Sequence, residues 1–129
     1  LPLGLAMPHF IIRLLFGKPN RPSMDYDVLV KKYAGVLASG GKASGVFIPR
    51  KVNFSRREQL TGKLLKQVSK INEALDEVAE ADLDKYLLPH PLLGKLTLGE
   101  MMYFTLYHVD HHKTKTAENL AAHGAGARH

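Results

Sequence analysis

Leu60, Leu64, Val68, Ile71, Leu75 and Val78 recur at steps of four and three, with polar residues between them. That period places apolar side chains on one face of a helix and nowhere coherent on a strand. Ser55-Arg-Arg-Glu58 directly precedes the run and reads as a capping box. Together they predict one helix over residues 55–78, about 36 Å long. A helix with so long an apolar stripe must lay it against other elements, which points to a helical domain.

Three further helical stretches fit that frame. Leu5, His9, Ile12 and Phe16 make one face, and Pro8 suits a first turn, so a regular helix is expected from about Met7. Gly17 and Pro19 end it, and residues 18–24 form a loop. A second helix is expected from about Asp25 to Ala38, with Val28, Val30, Tyr33 and Leu37 inward and Ser-Gly-Gly at 39–41 as its stop. Residues 42–54 read as an extended connection, and residues 86–96, with two prolines and Gly94, as a loop. Thr97-Leu-Gly-Glu100 is a second capping box, opening a last helix from about Leu98 to Ala121. Four helical stretches without a sheet give an all-α, four-helix up-down bundle. One domain is expected over residues 1–122, with 123–129 as a flexible tail. The shortness of the first stretch leaves room for a partner chain to complete the bundle, a homodimer included.

Composition removes several alternatives. With 45% hydrophobic and 23% charged residues over 129 positions, one packed core is affordable and wholesale disorder is not expected. No apolar run reaches the ~18 residues a membrane span needs. Leu3 to Phe16 is interrupted by Pro8, His9 and Arg13 and lacks the basic start of a secretory signal. Without cysteine, thiolate nucleophiles, zinc ribbons and disulfides are excluded, and the expected location is cytoplasmic. The formal net charge of +6 is uneven. Thirteen Lys or Arg lie between Arg13 and Lys70 against three acids, whereas residues 73–84 hold six acids and no base. A basic middle attracts phosphates, nucleic acid or an anionic cosubstrate; equally, it is an ordinary solvated surface. The stretch lacks the aromatic residues that single-strand binders interleave for base stacking.

Chemistry concentrates in Tyr107-His-Val-Asp-His-His112. His108 and His112 are one helical turn apart on one face, a spacing at which two imidazoles can share an ion. His111 competes for the role; His112 lies more nearly on the side of Phe104 and Thr105. His9, on the face of Ile12 and Phe16, is the candidate third ligand, since a ring at a core position needs polar partners. Its alternative is a buried imidazole bonded to a backbone carbonyl. His90, between Pro89 and Pro91, reads as a loop histidine or the rim of a site, and His123 and His129 as tail.

These motifs resemble the DinB/YfiT-like superfamily of metal-binding four-helix bundles, and within it a bacterial branch of unassigned role. Ala6-Met-Pro-His9 with its apolar helix resembles the helix bringing the family's first histidine. Residues 90–97, His-Pro-Leu-Leu-Gly-Lys-Leu-Thr, resemble the branch's loop before the last helix, and His108-Val-Asp-His-His112 its His-x-x-His-His signature. The resemblance implies metal ligands at His9, His108 and His112, a divalent ion (zinc or nickel) and open positions for water or substrate. It also implies relatives that transfer groups to low-molecular-weight thiols. Two features depart from it: the family helix expected ahead of His9 is missing or truncated, and Lys115 stands where the branch often has Gln.

Three functions follow as expectations. The first is a metal-dependent enzyme, a hydrolase or thiol transferase acting on a small molecule, with its catalytic residues unassigned; Glu100, Tyr103, Tyr107 and Asp110 are near in sequence, and none is a clear base. The second is a non-catalytic module braced by a metal or holding none, a fourth ligand coming from His111, His90 or a carboxylate. The third is a basic nucleic-acid-binding protein.

Overall fold

The computed structural model describes residues 7–126, apart from the side chain at position 125. Four helices and one small hairpin make up the fold of the described residues. Helix α1 spans His9–Phe16, α2 Tyr26–Ala38, α3 Arg57–Asp76 and α4 Leu98–Gly126. Strands β1, Leu87–His90, and β2, Gly94–Thr97, pair antiparallel between α3 and α4. Short 3-10 turns occupy Gly45–Phe47, Phe54–Arg56 and Glu80–Asp82.

Local chemistry sets most of the helix ends. Pro8 is the N-cap of α1 and stands just outside it, so the helix starts at His9, two residues later than the start expected near Met7. Gly17, at φ 82°, closes α1 by donating its amide to the Arg13 carbonyl. Asp25 caps α2 by accepting from the Val28 amide. The second capping box forms in full: the Glu100 amide donates to Thr97 Oγ1 at 3.2 Å, and the Thr97 amide to Glu100 Oε2 at 2.8 Å. The first box does not direct its helix. Asn53 accepts from the Ser55 amide instead and winds residues 54–56 into a 3-10 turn, so α3 starts at Arg57. Helix α4 continues beyond Ala121 to Gly126.

The hairpin is a correction to the expected loop over 86–96. Leu87, Leu88 and His90 of β1 and Leu96 and Thr97 of β2 are buried, so both strands have an inner face to anchor them. Register runs Leu88 to Leu96 and His90 to Gly94, and Gly94 adopts φ 78° as the chain re-enters β2. Pro89, exposed and paired with Lys95, sits on a strand that has a neighbour on one side only.

The core gathers on this hairpin. Ile12 of α1, Leu29 and Tyr33 of α2, Leu88, Leu93 and Leu96 of the hairpin, and Leu98 and Met101 of α4 form one buried cluster. Each such side chain contributes roughly 1.5–3 kcal/mol when fully buried. Helix α3 adds no buried residue. Its expected core face is open, with Leu64 63% and Val68 46% exposed. Leu5, expected on the inner face of α1, lies outside the described residues.

Candidate metal centre on the last helix

Helical spacing brings two of the three expected ligands together. The His108 and His112 rings lie one turn apart on α4, and their Nε2 atoms approach to 2.9 Å. In the absence of an ion, one ring donates to the other through that contact. Two nitrogens on one ion with bonds of about 2.0–2.1 Å would stand about 2.9 Å apart at a right angle and about 3.3 Å at a tetrahedral one, so the pair fits a shared ion with at most a small opening of the rings. Burial lowers the pKa of His108, and the neighbouring His112 and His111 lower it further. Neutral imidazole is the form that ligates.

Aromatic rings wall the pair on its inner side. Phe104 lies 4.8 Å from His108, between centroids, and His90 lies 4.3 Å beyond Phe104. The buried Tyr33 of α2 meets Phe104 edge-on and places its hydroxyl 3.5 Å from His108 Nδ1. When Nε2 of His108 ligates, its proton must sit on Nδ1, where the Tyr33 hydroxyl can accept it. The His111 ring lies 5.5 Å from that of His112, 6.0 Å from Tyr107 and 6.2 Å from Tyr33, between centroids.

His9 does not join this pair. It is exposed at the start of α1, its ring 4.4 Å from that of Tyr86, and it lies close enough to Asp82 to add, after Lys85, to the lowering of that carboxyl's pKa. Ile12, one turn on, is the α1 residue that enters the core; His9 shares its face but sits at the helix end, beyond the core's edge. Among the described residues no group of three His, Asp or Glu side chains gathers closely enough to hold an ion.

His90 serves the fold in a way the sequence reading missed. It is 8% exposed, and its Nδ1 accepts from the amides of Leu92 and Leu93 at 3.1 and 3.0 Å. Those bonds fix the proton on Nε2 and close the hairpin turn. Burial, helped by nearby His108, holds its pKa down to about 4. The two apolar residues after Pro91 were the signal: their amides, turned inward, need an acceptor.

The carboxylates near the centre are otherwise occupied. Glu100 is fully buried and receives two donors from Arg21, plus the amides of Met24 and Thr97. Burial alone would raise its pKa; Arg21 and the amides outweigh it and lower it. It holds the loop after α1 onto α4 and is not available as a base. Asp110 is exposed on the helix, and Tyr103 packs edge-on against Tyr26. Lys115 pairs with Glu118 at 2.9 Å on the surface.

What fold and centre define is a small helical protein whose longest helix presents an i, i+4 histidine pair beside a buried hairpin. The chain belongs to the DinB superfamily, whose sequence pattern matches residues 10–114, a span that includes both members of the pair. No curated protein and no solved structure matches the chain. Among the described residues no helix is long and apolar enough to cross a membrane.

Proposed function

We propose that His108 and His112 bind one divalent metal ion, zinc or nickel, and that the protein is a metal-dependent enzyme of hydrolase or thiol-transferase type acting on a small molecule. The observation that carries this reading is the 2.9 Å approach of the two Nε2 atoms. Two imidazoles leave both charges of the ion uncompensated and at least two of about four positions free. A bracing zinc is ordinarily closed by four protein ligands, so this donor set favours exchangeable chemistry over a purely structural ion. A bound ion would supply Lewis acidity to a coordinated water or thiol. The chain's own part is to favour the neutral form of His108 through burial, to orient that ring through Tyr33 and to screen the inner side with Phe104 and the hairpin.

The test is metal content of tag-free protein dialysed against zinc or nickel. The wild type and His9→Ala should retain close to one equivalent. His108→Ala and His112→Ala should each lose most of it while keeping their helical circular dichroism. A full equivalent in both pair variants overturns the assignment, and loss in His9→Ala restores the wider triad.

A further inference from the structure

A cavity lies between the loop after α1, helix α2 and the hairpin, and none of its lining residues is a histidine. It is half open and has a volume of about 490 Å³, within the range of small-molecule sites. The loop after α1 forms one wall, Lys32 of α2 reaches in from a second, and the hairpin closes the third. Four cationic residues line it, Lys18, Arg21, Lys32 and Lys95, and no acidic one does.

Their charges are not equivalent. Arg21 is neutralised by Glu100 behind it. Lys18, Lys32 and Lys95 have no carboxylate partner among the described residues. Three uncompensated ammonium groups around one concavity focus a positive potential there and favour an anion entering it. Two of the four cations are already held: Lys95 Nζ donates to the Phe16 carbonyl at 2.7 Å, and Arg21 is fixed by its carboxylate. Side chains fixed beforehand lose little entropy on binding. The Lys95 bond uses one of three ammonium hydrogens, leaving two for a ligand. Leu87 and Leu93, both buried, together with Phe16 give the cavity an apolar floor.

We propose that this cavity is a binding site for a small anionic molecule carrying a phosphate or carboxylate group, separate from the histidine pair. The anionic group sits among Lys18, Lys32 and Lys95, and any apolar portion lies on Leu87, Leu93 and Phe16. A small molecule is favoured over nucleic acid because the cations converge on one half-open concavity; a polyanion needs them strung along a track.

The test is an amide NMR titration of the full chain with inorganic phosphate, and separately with malonate. Chelator is present, and ionic strength is held constant with sodium chloride. The chelator makes the result independent of the metal reading. Saturable one-to-one shifts are expected at residues 17–21 and 94–97, for one anion or both, and the tighter of the two names the group. Lys32→Gln and Lys18→Gln, both at exposed positions, should weaken binding at least about fivefold each with an unchanged spectrum elsewhere. Shifts that never saturate, or that spread over the basic surface through residue 70, overturn the proposal. So does unchanged affinity in both variants, or a short single-stranded DNA that binds here more tightly than either small anion at matched charge.

Discussion

Glu100 keeps its charge with no contact to solvent because four donors meet its two oxygens, and His90 keeps its neutrality for the converse reason. Protonating His90 at Nδ1 would cost both amide bonds of the turn. A histidine whose folded pKa lies near 4 against 6.5 unfolded binds its proton more readily in the unfolded chain. Its contribution to stability is therefore complete above pH 6.5 and is lost as the pH falls towards 4. At 1.36 kcal/mol per unit the loss by pH 4.5 is about 2–3 kcal/mol. Urea unfolding of metal-free protein at pH 7.5 and 4.5 checks this: the wild type should lose that much more than His90→Gln, and equal losses would refute it. The two capping boxes show how far a residue pattern reaches. Thr97 and Glu100 form theirs even though Ser23 bonds the same hydroxyl and Arg21 and the Met24 amide the same carboxylate. Ser55 and Glu58 do not, because Asn53 offers its oxygen to the Ser55 amide first.

At the scale of elements, periodicity located the helices and missed the hairpin. Asp25, Gly17 and the Thr97 box are local signals, and α1, α2 and α4 begin or end on them. The hairpin has strands of four residues, one containing Pro89, too short for alternation to stand out from loop composition. Its return depends on Gly94 at φ 78°. An added Cβ there meets no atom within 4 Å, so Gly94→Ala should be penalised by conformation alone, at about 1–2 kcal/mol. Gly62, inside α3 and equally uncrowded, should respond oppositely: Gly62→Ala raises helix content by removing backbone freedom from the unfolded chain. Thermal unfolding followed at 222 nm measures both. A Gly94→Ala protein as stable as the wild type would show that the turn does not need its glycine. Helix α3 marks a different limit. Its stripe was legible, but a stripe says only that a face is apolar, and Leu64 and Val68 remain open.

For the whole molecule, the pair on α4 was legible because its two members share one helix, where spacing fixes geometry. Its relation to His9 was not, because a period gives a face but not the height of a helix end above the core. His9 accordingly rests on Tyr86 while Ile12 enters the cluster. The superfamily match and the pair's geometry leave one central claim, that His108 and His112 act as a single ligating unit. Long-range ¹H–¹⁵N correlation of the imidazole rings during zinc addition tests it most directly. One equivalent of zinc should move the Nε2 resonances of His108 and His112 together, lodge both protons on Nδ1, and leave His9 and His90 where they were. Movement of His9 or His111 in place of His112, or no change in any ring at one equivalent, would contradict it.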